Sequence, residues 1–243
     1  MKAMILAAGL GTRLQPLTNT LPKPLLPLGG QPLIGWNLAL LRRYGVTEVI
    51  INVHHLGDLI QEALGDGSKW GMALSYSVEK DLLGTGGGLK QVESFFGEQP
   101  FLVLNGDTVV DLNLSDMMER FTESGAVSLM ALRDDPDVAV WGMVETDARH
   151  RILRINGRGG NPGGQPEGVH QRMFAGIHIM DPLLLHNIPQ GTFWSIIDEY
   201  VGFLEKGAFI LGYPFSGYWS DVGTLERYAQ VQQDVLAGLL PSS

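Results

Sequence analysis

Cysteine is absent from the 243-residue chain, so neither a disulfide framework nor a thiolate metal site is possible. No apolar run approaches the roughly 18 residues of a membrane span, and the short apolar opening after Lys2 does not read as a secretory leader. Positive charge is scarce: 17 Lys and Arg stand against 26 Asp and Glu, a formal net charge of −9. That balance excludes a general nucleic-acid or anionic-membrane binder, which needs a basic surface. It leaves room for a few cations gathered in one cleft around a small anion. Charged residues reach only 18%, against 44% hydrophobic, so dominant disorder is excluded as well. A cytoplasmic globular chain with a sizeable core is what these absences leave. Glycine is plentiful, with 32 residues against a usual share of about 7%, so many backbone positions turn tightly or approach a ligand.

One α/β domain is expected over residues 1–243, with a nucleotide-binding part to about 110 and a strand-rich part beyond it. Apolar runs at 4–8, 48–53 and 101–104 read as buried strands. Between the first two, Leu33, Trp36, Leu40 and Tyr44 fall at helical spacing, and Gly45 ends that helix. Leu59, Ala63 and Leu64 suggest a short helix closed at Gly65. Such alternation predicts a parallel sheet covered by helices. Residues 113–123 read as helical and 127–131 as extended. Further strands are expected at 141–145, 152–155, 172–180 and 209–213, with a helix whose buried stripe is Trp194, Ile197, Val201 and Leu204. A last helix runs over 224–238. Residues 156–170 hold six glycines and two prolines, which reads either as a hairpin connection or as a lid over a ligand.

The stretch Met4-Ile5-Leu6-Ala7-Ala8-Gly9-Leu10-Gly11-Thr12-Arg13 carries the most information. A strand running into a glycine-rich turn brings backbone N–H groups to the carboxyl end of a sheet, where anions bind in open α/β folds. It is not a Walker loop, which needs Gly-Lys-Ser/Thr, nor a dinucleotide fingerprint, since Leu14 stands where the third glycine belongs. What it delivers is Arg13, whose planar fork suits phosphate. Ten residues on, Lys23 is held between Pro22 and Pro24, two rings that stiffen its main chain. Together the two cations could neutralise a polyphosphate.

Leu6-Ala7-Ala8-Gly9-Leu10-Gly11-Thr12-Arg13-Leu14 followed by Pro22-Lys23-Pro24 resembles the signature of the sugar-1-phosphate nucleotidyltransferases. The likeness extends from Lys2 to about Tyr228, and in look it is nearest to the compact N-acetylmuramate-1-phosphate uridylyltransferases and the mannose-1-phosphate guanylyltransferases. It implies a nucleotide-diphospho-sugar transferase (GT-A-like) fold: a Rossmann-like, mainly parallel sheet flanked by helices, with a smaller strand-rich sugar-binding part. It also implies the reaction, in which a sugar phosphate oxygen attacks the α-phosphorus of a nucleoside triphosphate and pyrophosphate leaves.

The same resemblance distributes roles. Arg13 would hold the triphosphate and Lys23 the sugar phosphate. Two strand-end or helix-entry aspartates, Asp107 in Asn105-Gly106-Asp107 and Asp221 in Asp221-Val222-Gly223-Thr224, match the family's Mg²⁺ ligands, hard oxygen donors for a hard cation. Taken alone, Asp107 reads as a turn-former and Asp221 as a helix-entry residue. Catalytic work falls to Arg13, Lys23 and Asp107. Nucleotide contacts fall to Leu6, Ala7, Ala8, Gly9, Gly11, Thr12, Asn52 and Asn105. A second glycine run, Gly84-Thr85-Gly86-Gly87-Gly88, resembles the segment lining the base pocket, where glycine lets the chain approach a flat ring; alone it reads as a helix start capped by Thr85. Sugar-phosphate contacts fall to Lys23, Glu79, Gly87, Gly176 and Asp221. Relatives carry Glu-Lys-Pro after the strand matching 152–155, whereas this chain has Asn156-Gly157-Arg158, so Arg158 is the candidate replacement for that lysine. The adjacent His54 and His55 point to opposite faces of a strand and share no metal, and Asp111 reads as a surface turn.

The implied partners are UTP or GTP and a sugar-1-phosphate, with no nucleic acid and no membrane. Uridylyl transfer is favoured, with guanylyl transfer to mannose- or heptose-1-phosphate as the alternative. A related enzyme acting on a polyol phosphate is disfavoured by the second glycine run. From another class, a non-catalytic nucleotide-sugar-binding subunit remains open, although a sensor has no need of the metal pair. The chain stops soon after its last expected helix, so an appended β-helix and acetyltransferase activity are not expected.

Overall fold

The protein is described by a computed structural model over residues 1–160 and 168–240. The chain opens on β1 (Ala3–Leu6); a small hairpin of β2 (Pro27–Leu28) and β3 (Gln31–Pro32) precedes α1 (Leu33–Arg43). Next come β4 (Glu48–Val53), α2 (Gly57–Leu64) and β5 (Ala73–Val78), then α3 (Gly84–Gln91), α4 (Glu93–Phe96), β6 (Phe101–Asn105) and β7 (Thr108–Val110). They are followed by α5 (Leu114–Ser124), β8 (Ser128–Arg133), α6 (Val138–Trp141), β9 (Met143–Thr146), β10 (Ile152–Ile155) and β11 (His170–Met180). The last elements are α7 (Ile196–Glu205), β12 (Ile210–Pro214), β13 (Trp219–Asp221) and α8 (Leu225–Leu236). Among the described residues no helix is long and apolar enough to cross a membrane.

The chain gathers into two compact units, which interleave in sequence. The first comprises Met1–Leu82, Val103–Leu112 and the residues from Gly217 onward; the second comprises Leu83–Leu102 and Asn113–Ser216. The expected division near residue 110 separates roles, whereas these units separate contacts.

In the first unit β6, β1, β4 and β5 lie side by side in that order, with the β1–β4 and β4–β5 pairs parallel. The strands β1 and β4 are apolar and almost wholly buried, as expected of parallel strands covered on both faces. Helix α1 buries Leu33, Leu38 and Leu41, and the chain turns out of it at Gly45 with φ 74°. A cluster of Leu14, Leu26, Leu28, Val222, Tyr228 and Val231 ties the chain's last helix to its first loops; the Tyr228 hydroxyl donates to the Pro27 carbonyl at 2.6 Å.

In the second unit β9 pairs antiparallel with both β10 and β11, β8 pairs antiparallel with β11, and β12 joins β8 in parallel. The α/β class therefore holds, with a mainly parallel central sheet in the first unit and the strand-rich part in the second. A buried polar trio knits β8, β11 and α7. Ser128 Oγ donates to the Ile179 carbonyl at 2.8 Å and lies 3.0 Å from the Tyr200 hydroxyl, which also meets Nδ1 of His178.

Besides the short elements β2, β3, β7, β13 and α4, which were not expected, three differ from expectation. Strand β5 is not announced by an apolar run, because Ser75 and Ser77 alternate along it and Val78 is exposed. Trp141 closes the short helix α6, so the strand expected at 141–145 begins at Met143 instead. The buried face of α7 is Ile196, Tyr200, Val201 and Leu204, while Trp194 precedes the helix and Ile197 is only half-buried. Of the expected hairpin or lid at 156–170, residues 161–167 lie outside the described residues.

Candidate active site

Strand β1 stops at Leu6 and the chain turns through the glycine loop. Gly11 has φ 65°, and a Cβ there would stand 3.0 Å from Thr18 Cγ2, so the position calls for glycine on both counts. The buried Thr18 fastens the loop by donating its hydroxyl to the Gly11 carbonyl at 2.8 Å. A single 3₁₀ turn, Thr12–Leu14, buries Leu14 and leaves Arg13 exposed. A second turn, Lys23–Leu25, follows the extended Pro22 and presents Lys23 beside the loop.

These turns border a pocket of about 350 Å³ lined by Leu6, Gly9, Gly11, Arg13, Lys23 and Asp107, with Ala7, Thr12, Gly106 and Gly223 also on its wall. Gly106 packs so closely on β1 that its N–H donates to the Leu6 carbonyl at 2.9 Å, and a Cβ would meet that oxygen at 2.8 Å. Asp107 stands in the turn between β6 and β7, and its Oδ2 is ion-paired with Nζ of Lys23.

The two aspartates, far apart in sequence, meet through a strand pair. Strands β7 and β13 run antiparallel with Thr108 opposite Asp221, and Val222 N–H donates to the Asp107 carbonyl at 2.9 Å. Burial pushes the Asp221 carboxyl above its ordinary range, and the neighbouring Asp107 charge adds to this; Lys23 and Arg227 counter it. Arg227, which no sequence motif singled out, holds Asp221 Oδ1 at 3.1 Å from the first turn of α8. Its only prior signal was its place six positions after the aspartate in an expected helix. Arg13 reaches the same corner, since a Cβ on Gly223 would lie 3.2 Å from its Nη2.

Two carboxylates crowded into one partly buried corner suit a hard divalent cation, which prefers oxygen donors and relieves their mutual repulsion. Among the described residues no group of three His, Asp or Glu gathers. Further ligands to such a cation would come from water and substrate phosphate, the usual habit of Mg²⁺.

Asn52 and Glu79 are both 3% exposed and bind each other. The Asn52 carboxamide accepts from Ala7 N–H at 2.8 Å and donates to Glu79 Oε1 at 2.8 Å. Through Asn52, Glu79 is linked to the start of the glycine loop at Ala7. Ala8 is buried, and the Asn105 carbonyl, at the end of β6, accepts from Asn37 at 3.4 Å. His54 directs Nδ1 to the Glu79 carbonyl at 2.8 Å while His55 is exposed, and Asp111 lies in an exposed pair 3.9 Å from Arg43.

The remaining expected residues belong to the second unit. Gly86 and Gly87 N–H groups both donate to the Trp194 carbonyl, at 2.8 and 3.2 Å. A Cβ on Gly84 would stand 2.7 Å from that same oxygen, and one on Gly87 would stand 2.3 Å from the Thr192 carbonyl. The glycine run is thus required by the chain segment 192–196 packed upon it. Thr85 is not the cap of α3; its hydroxyl accepts from Ile196 N–H at 2.9 Å. Gly176 has φ 79° and lies where β11 shifts register against β8, a bulge that glycine accommodates. Arg158 pairs with Asp198 at 2.6 Å, both side chains about half exposed.

The sequence profile of a family described as nucleotidyl transferase matches residues 2–238. The chain is 36% identical to an N-acetylmuramate alpha-1-phosphate uridylyltransferase of Neisseria meningitidis, over 98% of this chain and 99% of that one. It is 30% identical to a mannose-1-phosphate guanylyltransferase of Mycobacterium tuberculosis, over 99% of this chain and 66% of that one. Several other curated relatives are likewise longer, and the chain spans about two thirds of their length. A solved structure of a putative glucose-1-phosphate thymidylyltransferase from Bacillus anthracis, in complex with a sucrose, superposes with a TM-score of 0.84 at 26% identity, covering 100% of this chain and 97% of that one.

Proposed function

The chain belongs to the nucleotidyl transferase family, and on that footing we propose that it joins a nucleoside triphosphate to a sugar-1-phosphate, releasing pyrophosphate. The observation that carries this reading is the convergence of Arg13, Lys23 and Asp107 on one pocket, with Asp221 against Asp107. Two anions must meet in line, and fixed positive charge is what lets them. In this reading Arg13 draws in the triphosphate and Lys23 leaves Asp107 to hold the sugar phosphate. Leu6, Ala7, Ala8, Gly9, Gly11, Thr12 and Asn105 shape the nucleotide side. The attacking oxygen is already ionised near neutral pH, so no side-chain nucleophile or general base is assigned.

Asp107 and Asp221 would hold the Mg²⁺ that this reading requires, which would supply charge neutralisation to the phosphates. Asn52 and Glu79 act from behind, fixing Ala7. The roles given to Gly84, Thr85, Gly86 and Gly87 toward the base, and to Gly176 and Arg158 toward the sugar, stand as proposals on the family's motifs. A cytoplasmic setting, where nucleoside triphosphates are made, belongs to the same reading.

Uridylyl transfer is favoured because the relative matched over nearly its whole length carries a uridylyltransferase name; guanylyl transfer is the alternative, on the mycobacterial relative's name. Pyrophosphate release measured across UTP, GTP, dTTP and CTP with N-acetylmuramate-, glucose- and mannose-1-phosphate decides between them. Arg13→Ala and Asp107→Ala are each expected to lower turnover at least about a hundredfold through lost electrostatic stabilisation. Folded variants turning over at the parent rate would refute the assignment.

A further inference from the structure

Arg227 stands against one of the two carboxylates on which the proposed function depends. Helix α8 starts at Leu225 with Thr224 as its cap, and the Thr224 hydroxyl accepts from Arg227 N–H at 3.3 Å. The first turn of the helix therefore fixes where the Arg227 side chain departs. Its Nη1 donates to Asp221 Oδ1 at 3.1 Å, and the Asp221 side chain is only 18% exposed. The intervening Gly223 leaves no slack: a Cβ there would lie 2.3 Å from Asp221 Oδ1 and 3.4 Å from Arg227 Nη1. A free carboxylate turns about its Cβ–Cγ bond, whereas one gripped by a planar guanidinium keeps its orientation.

We propose that Arg227 is a positioning residue for the cation site: by holding Asp221 through Oδ1 it leaves the second carboxylate oxygen oriented for a divalent ion. The proposal rests on the function proposed above. Its direction is not trivial, because Arg227 acts on a cation in two opposed ways. As a charge it repels the ion, so its loss would tighten binding. As a clamp it preorganises a ligand, and removing such outer-shell partners typically weakens metal affinity about 10–100-fold. The short reach and the confinement by Gly223 favour the clamp.

Mn²⁺ binding to the full chain without nucleotide, followed by electron paramagnetic resonance, tests this in the parent, Arg227→Gln, Arg227→Lys and Asp221→Asn. Arg227→Gln is expected to weaken Mn²⁺ binding at least about tenfold, with part of the loss restored in Arg227→Lys. In steady-state assays the Mg²⁺ concentration for half-maximal rate should rise in Arg227→Gln while kcat at saturating Mg²⁺ is largely kept. Unchanged or tighter Mn²⁺ binding in folded Arg227→Gln overturns the proposal, as does a kcat that falls equally at every Mg²⁺ concentration. Should Asp221→Asn also leave Mn²⁺ binding unchanged, the cation site itself fails; if Asp221→Asn weakens binding and Arg227→Gln does not, only the role of Arg227 fails.

Discussion

Asn52 commits both ends of its carboxamide inside the fold, to Ala7 N–H and to Glu79. Replacing it by leucine leaves the buried Ala7 N–H without its acceptor and takes one donor from the buried Glu79, a loss of about 3 kcal/mol. Urea denaturation of Asn52→Leu should show that loss, and the glycine loop should lose its register with β4. Two glycines make a sharper contrast. Nothing lies within 4 Å of a Cβ built on Gly9, whereas at Gly87 it would meet the Thr192 carbonyl at 2.3 Å. Gly9→Ala should therefore melt with the parent but bind triphosphate more weakly, because the methyl enters the pocket. Gly87→Ala should lose roughly 1–3 kcal/mol through overpacking. Equal melting temperatures for these two variants would contradict the packing described. Composition and motif pointed to glycine at both places, and only the neighbours tell the reasons apart.

Among the elements, the polar trio of β8, β11 and α7 carries a pH signature. Full burial lowers the His178 pKa from its ordinary 6.5 to about 3. A buried neutral imidazole binds its proton less readily than the unfolded chain does, so its contribution is complete above about pH 6.5 and is lost as the pH falls toward 3. Stability measured by denaturant between pH 7 and 4 should decline, and His178→Asn should flatten that decline from a lower starting value. A parallel decline in both proteins would assign the acid sensitivity elsewhere. Strands β4 and β10 were legible to the residue, since short stretches rich in branched aliphatic residues and bounded by polar turns have few other readings. Strand β5, with serines on alternate positions, and β13, three residues long, give no periodic signal. The α7 stripe was read correctly at Val201 and Leu204 but missed Ile196 and Tyr200, because Trp194 was counted as helical although the cap at Ser195 starts the helix after it. Arg13, Lys23, Asp107 and Asp221 were singled out by their motifs, and Arg227 was not. The ion pairs of Lys23 with Asp107 and of Arg227 with Asp221 had no sequence signal, because they depend on which strand ends the fold brings together.

For the whole molecule, the first unit is assembled from three separate stretches of chain. Val222, Tyr228 and Val231 complete its core against Leu14, Leu26 and Leu28. A chain ending at Ser216 is expected to leave that apolar surface open and to lose protection of β1 and β4 in hydrogen exchange, while the full chain protects both strands. Equal protection in the two would show that the first unit does not need its last stretch.

The late return of β13 to the β7 edge also sets an order of events during synthesis. The glycine loop and Lys23 are made first, Asp107 later, and Asp221 later still. A nascent chain thus carries only half of the proposed cation site until β13 has been made and has paired with β7.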